Sequence, residues 1–189
     1  MATEAGEVKR DKLDPEREAR RRVALAQIRQ YGDPVLRMRA RAVESFDGDL
    51  TRLVERMKAL MQDANGVGLA ANQIGVLQRV LVMQPNEDGP IALVNPVLRE
   101  SSGTAETDDE GCLSLQGVTV PVERKCRVVV EALDEHGEEV SVELEGLGAR
   151  VVQHELDHLD GVLILERTTD EARRAALAVL RPRIAIAPS

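Results

Sequence analysis

The stretch VVQHELDHLDG, residues 151–161, holds two histidines four positions apart, with a glutamate directly after the first. Residues four apart share one face of a helix. A helical reading lets His154 and His158 grip one ion together, with Glu155 at its flank. The bare pattern H-E-x-x-H also arises by chance, and such residues can form an ordinary solvated face. The neighbours argue otherwise. Val151, Val152, Leu156 and Leu159 surround the polar positions with apolar ones, so the helix is expected to be buried on several sides. Ionisable groups in such a helix are costly unless paired or ligated. A metal removes that cost, because neutral imidazoles bind it and Glu155 keeps a partner for its charge.

Working outward, the chain reads as α+β. Residues 46–66, FDGDLTRLVERMKALMQDANG, form an amphipathic helix: Leu50, Leu53, Val54, Met57, Leu60 and Met61 follow the spacing of one buried face. Asp49 is the expected N-cap and Asn65-Gly66 the stop. RVLVM (79–83) and IALVNPVL (91–98) read as buried strands around a turn, QPNEDGP. SSGTAETDDE (101–110) reads as polar loop. RKCRVVVEAL and EEVSVELEG are two strands joined by the hairpin signal DEHG. After the HELDH helix, TTDEARRAALAVL reads as a C-terminal helix with Thr168 and Glu171 spaced as a capping box. Strands and helices do not alternate strictly. This favours mixed or antiparallel sheets packed around a central metal-binding helix, flanked by an N-terminal and a C-terminal helix, over a doubly wound fold.

The 189 residues suffice for one domain with a real core. With one Tyr, one Phe and no Trp, that core must be aliphatic. A net charge of -8 disfavours nucleic acid as a general partner, DNA included. No apolar run approaches the roughly 20 residues of a membrane helix. Two cysteines, Cys112 and Cys126, make no disulfide framework and suit a reducing compartment. Residues 1–22 mix seven basic with six acidic residues. They are too acidic for a transit peptide and lack the apolar core of a secretory signal, so a cytoplasmic protein is expected. The segment reads as a solvated arm that turns helical after Pro15. The expected division is a charged extension over 1–26, one catalytic domain over 27–181 and a loose tail over 182–189.

A divalent ion needs at least a third protein ligand. A histidine in the pattern H-E-x-x-H-x-x-G-x-x-H is ruled out, because Gly161 is in place but position 164 is Ile. Glu166 and Glu171 lie too close along the chain to return from a later helix. His136 falls in a hairpin turn and suits a solvated role. Upstream, DEGCLSL (109–115) offers Cys112 between an acidic loop and an apolar pair. A thiolate is a good ligand for first-row metals. The rival, Cys126, falls in an alternating strand, where cysteine usually packs as a small apolar residue. Two histidines and one cysteine leave a fourth position for water, which marks a catalytic site rather than a structural one. A metal lowers the pKa of such a water toward neutrality and creates a hydroxide nucleophile. Glu155 is placed to take the water's proton and pass it to a leaving amine. The implied chemistry is hydrolysis of an amide-like carbonyl. The oxyanion formed needs donors. GVGLAANQIG (66–75) offers glycines for close backbone approach and the side-chain amide of Gln73, although these residues alone equally describe a small-residue turn between helix and strand.

In the order GVGLAANQIG, EGCLSL and QHELDHLDG, these segments resemble the three signature motifs of the peptide deformylases. The resemblance runs from about Ile28 to Leu180 and includes YGDPVLR near the start. It implies an enzyme that removes the formyl group from the N-terminal formyl-methionine of nascent proteins, encountered near the ribosome. It implies Cys112, His154 and His158 as metal ligands and Glu155 as acid and base. Gln73 and the backbone N–H of Leu113 would stabilise the oxyanion. The methionine would enter a pocket near Val67, Leu147 and Val151, with Gly68 and Gly111 also facing the substrate. The metal would be Fe(II), with Zn(II) or Ni(II) as replacements. Glu110 is expected to support the Cys112 loop, and Asp157 to orient the helix through Arg124. The family often has Pro where Asn72 and Gln116 stand here, and an acid where Asn65 stands. Two other readings compete. A small metallopeptidase is disfavoured by the upstream cysteine and the missing later ligand. An idle nascent-chain binding module with a structural metal is disfavoured by Glu155, Gln73 and the open coordination position.

Overall fold

The computed structural model describes residues 14–180. The segments 1–13 and 181–189 lie outside the described residues, and with them the first half of the expected arm and the whole expected tail.

Among the described residues, four α-helices, α1 (Pro15–Leu25), α2 (Gly48–Asp63), α3 (Gly146–Leu159) and α4 (Asp170–Leu180), accompany five strands. The strands are β1 (Gly68–Ala70), β2 (Val80–Met83), β3 (Ile91–Gly111), β4 (Thr119–Leu133) and β5 (Glu139–Glu145). They form one sheet in the order β1-β2-β3-β4-β5, each pair antiparallel. The α+β class follows, with a single meandering sheet.

The continuous apolar run of β2 is explained by burial on both faces. Val80 and Val82 pack with Leu50, Val54, Met57 and Met61 of α2. Leu81 and Met83 pack with Val151, Val152, Leu156 and Leu159 of α3. Side chains alternate along a strand, so one sheet separates the two helices. Farther along, Val128, Val130 and Ala132 of β4 and Leu144 of β5 extend the α3 face. Val120 and Val122 join Leu163, Leu165 and Ala176 in a third cluster under α4. The HELDH helix is thus held from several sides by aliphatic side chains, and each fully buried Leu or Met contributes roughly 1.5–3 kcal/mol.

Four local expectations are corrected. SSGTAETDDE is not a loop but the outer half of β3, paired with β4 over Ser101–Val128 through Gly111–Thr119. Its side chains are almost all exposed, so hydrophobic alternation could not reveal it. The pairing register shifts at three places, one of them spanning Gly103, which has φ +74°; bulges of this kind bend a ribbon. α2 is capped by Asp47, which accepts from the N–H groups of Asp49 and Leu50, and not by Asp49. Thr169, not Thr168, caps α4, accepting from the N–H of Ala172. Finally, the helix expected after Pro15 is present as α1, with Asp14 as N-cap and Pro15 in the first turn, but it is not wholly solvated. This helix docks: Ala24 is buried in the α2 cluster, Arg17 donates to Asn65 Oδ1 at 3.0 Å and Arg21 Nε to Ala64 O at 3.4 Å.

Candidate active site

α3 projects His154, Glu155 and His158 to one side, all three buried. The loop after β3 brings Cys112 to them. Its Sγ lies 3.2 Å from His158 Nε2, and one ligand atom from each of Cys112, His154 and His158 falls within 4.8 Å of the others. Cys126, the rival, instead approaches Thr104 Oγ1 at 3.5 Å, and His136 is exposed in its turn.

The Cys112 loop is pinned from the N-terminal segment: Tyr31 donates its N–H to Ser114 O at 2.8 Å, and Gln30 Nε2 to Leu113 O at 3.1 Å. Within the loop, the Ser114 N–H points at Cys112 Sγ at 3.4 Å. The Leu113 N–H has no acceptor among the described residues.

The glycine loop supplies the facing wall. Gln73 sits in a short 3-10 turn, Ala71–Ile74, closed by Gly75 at φ +83°. The N–H of Ala70 donates to Gln73 Oε1 at 2.8 Å, which fixes the amide's orientation and turns Nε2 toward Ser114 Oγ (3.1 Å) and Cys112 Sγ (3.7 Å). Gly68 is glycine for a packing reason: a Cβ there would stand 2.5 Å from Glu155 Oε1 and 2.8 Å from Val151 Cγ1. A Cβ on Gly66 would stand 2.8 Å from Leu113 Cδ1. The two loops and α3 therefore meet at close range.

Behind the ligand atoms lies a buried ionic network. Glu110 accepts from Arg124 Nε and Nη2, both at 3.0 Å, from Arg150 at 2.8 Å, and pairs with His154 Nδ1 at 3.0 Å. Arg124 continues to Asp157 at 2.5 Å, and Asp157 accepts from Arg167. Burial pushes the Glu110 carboxyl up, but the hydrogen bonds from His154 and Arg124 outweigh it and hold the group down at about 2. Glu110 is thus a permanent carboxylate that fixes His154 Nδ1 as donor and leaves the other ring nitrogen to a ligand, the arrangement common for metal-binding histidines. Burial lowers the basicity of His154, yet contacts with Cys112 and Glu110 reverse this and hold it well above the ordinary value; an ion at the site would displace that proton. Burial, then the neighbouring His154, drive His158 far below its ordinary value, so its ring is neutral. Burial also raises Glu155 to about 7, and its Oε2 has no hydrogen-bond partner among the described residues. One soft thiol, two imidazoles and an oriented carboxylate behind one of them fit a divalent transition ion.

The site opens into a cleft of ≈ 440 Å³. Val67, Gly68, Gly111, Leu147 and Val151 all line it, as do Gln73, Cys112, Leu113, His154 and Glu155. Val67 and Leu147 are exposed apolar side chains, 47% and 67%, available to a ligand.

Glu110 reaches a ligand histidine rather than merely the Cys112 loop, and Asp157 does meet Arg124. Sequence reasoning missed Asn72, Ser114, Arg150 and Arg167. Asn72 is fully buried and its side-chain amide donates to the carbonyl of His158. Its one signal was an amide beside Gln73 in the otherwise apolar run LAANQI. Ser114 and the two arginines carried none, since their partners are distant in sequence.

A Cys-His-His centre with a flanking glutamate on an α+β scaffold defines a metal-dependent hydrolase. The polypeptide deformylase family model matches residues 25–174. A peptide deformylase of Clostridium botulinum (strain Alaska E43 / Type E3) is 48% identical over 147 residues, 78% of this chain and 99% of that protein. The crystal structure of the Thermotoga maritima peptide deformylase superposes with TM-score 0.73 at 48% identity, covering 75% of this chain and 96% of that one. The Synechococcus elongatus peptide deformylase in complex with actinonin superposes with TM-score 0.77 at 38% identity, covering 81% and 84%. The chain belongs to the peptide deformylase family, enzymes that use a bound metal to remove the N-terminal formyl group from nascent peptides.

Proposed function

We propose that this chain deformylates formyl-methionyl nascent polypeptides in the cytoplasm, as they emerge from the ribosome, with Fe(II) as its native ion and Zn(II) or Ni(II) as replacements. The observation that carries the site assignment is the convergence of Cys112, His154 and His158 within 4.8 Å beside the carboxyl of Glu155, whose Oε2 has no hydrogen-bond partner among the described residues.

Cys112, His154 and His158 would hold the ion. When bound, the ion supplies Lewis-acid polarisation and a water acidic enough to attack a carbonyl near neutral pH. The chain's own residues do the rest. The methionine side chain is held by Val67, Leu147 and Val151, while Gly68 and Gly111 leave the substrate backbone room. Gln73 Nε2 and the Leu113 N–H donate to the formyl oxygen as it gains negative charge. Glu155 accepts the proton of the attacking water and returns it to the departing amine nitrogen. Breaking the C–N bond leaves formate and a free N-terminus.

Formate release from a formyl-Met peptide by protein purified under anaerobic conditions tests this reading. Release by the parent protein but not by Glu155→Ala is the expected result. Cleavage of internal peptide bonds with no formate release would favour a metallopeptidase instead.

A further inference from the structure

The family model begins at residue 25, the last residue of α1. α1 is therefore an addition ahead of the matched region, and it reaches the active-site cleft. Arg21 and Leu25, four apart and hence on one helix face, both line the cleft beside Asn65, Gly66 and Val67.

Among the described residues two arginines line this cleft, and they differ. Arg150 is occupied by Glu110 Oε1, Val122 O and Glu106 O, each at 2.8 Å. Arg21 is half-buried, its Nε tied to Ala64 O at 3.4 Å, and among the described residues it meets no carboxylate. The Ala64 contact holds the guanidinium stem against the end of α2, just before the glycine loop. Asp109, exposed, lines the cleft as well.

We propose that α1 forms an added wall of the substrate channel, and that Arg21 reads the residues following formyl-methionine, favouring an acidic side chain there. This rests on the deformylase reading of the cleft. Val67 belongs to the methionine pocket of Val67, Leu147 and Val151 and also to the stretch of cleft lining beside Arg21 and Leu25. Residues that follow the methionine in that cleft therefore come within reach of Arg21. A net charge of -8 would disfavour acidic peptides, so a preference for them has to come from a local cation.

The test compares kcat/KM for formyl-Met-Ala-Ser amide and for versions with Glu or Lys replacing the Ala or the Ser. With the metal-loaded parent enzyme, Glu should exceed Lys at one of these positions by at least about threefold, mostly through KM, as for a partly solvated ion pair. The ratio should shrink at high salt. Arg21→Gln should abolish the preference and Arg21→Glu should invert it. Arg20→Gln, on an exposed part of α1, should keep it. Equal rates for Glu and Lys peptides in the parent overturn the proposal. So does an Arg21→Gln enzyme that is slower on every peptide by one factor, its Glu/Lys ratio intact, because α1 then serves only stability. Failure of the parent to release formate from any peptide would strike the deformylase reading itself, and the proposal with it.

Discussion

Two charge-rich stretches have opposite fates. In α3, the ionisable residues among 154–158 are largely buried, and each but Glu155 meets a side chain from outside the helix. In the outer half of β3, residues 101–109 are exposed, and their main structural work is backbone pairing with β4. The contrast teaches that the context of charge, not its quantity, separates a site from a surface. Polar groups amid aliphatic neighbours must be ligated or paired. Polar groups on a bent ribbon need only their N–H and C=O groups satisfied.

The sharpest break of this contrast is Glu155→Ala. Turnover should fall by about 10²–10⁴, the usual contribution of a general base, while metal content by elemental analysis stays at the parent level. Next comes Glu110→Ala. Breaking a buried ion pair costs about 3–5 kcal/mol, and metal affinity should drop roughly 10–100-fold; urea denaturation and chelator competition measure the two. Asn72→Ala removes the side-chain donor to the His158 carbonyl, and a buried acceptor left unsatisfied costs about 1–3 kcal/mol, read as a lower denaturation midpoint.

A smaller effect is expected at the clasp between α2 and the β4–β5 hairpin, where Lys58 Nζ lies 2.9 Å from Glu135 Oε1. Burial raises the Glu135 carboxyl, but the Lys58 hydrogen bond prevails and the net shift is downward. A group depressed in the folded state binds fewer protons there than when unfolded, so its contribution is present above the ordinary carboxylate range and is lost as pH falls through the folded value. Glu135→Gln should therefore lower stability at neutral pH by less than about 1 kcal/mol, and the difference from the parent should vanish in acid. At the bottom of the scale, Thr107→Ser on the exposed ribbon should change stability by no more than about 0.5 kcal/mol.

Much of this was legible in the sequence. α2 could be read from its spacing, β2 from its unbroken apolar run, and the ligand helix from polar residues set among aliphatic ones. Cys112 could be favoured over Cys126 because one follows a glycine in a loop and the other sits in an alternating strand. What stayed hidden has physical reasons. The outer half of β3 buries almost no side chain on either face, so it leaves no hydrophobic period. Asp47 and Thr169 replace Asp49 and Thr168 as caps because several acceptors lie within two residues of each helix start, and tertiary packing selects among them. The Glu110–Arg124–Asp157–Arg167 relay joins residues up to 57 positions apart, and no local pattern records such a meeting.

The central claim is that one sulfur and two imidazoles hold a single ion. X-ray absorption at the metal edge of anaerobically purified protein tests it most directly. One ion per chain, with one sulfur and two nitrogen scatterers in the parent and the sulfur lost in Cys112→Ala, is the predicted result. An ion whose coordination contains no sulfur, or is unchanged in Cys112→Ala, would contradict it.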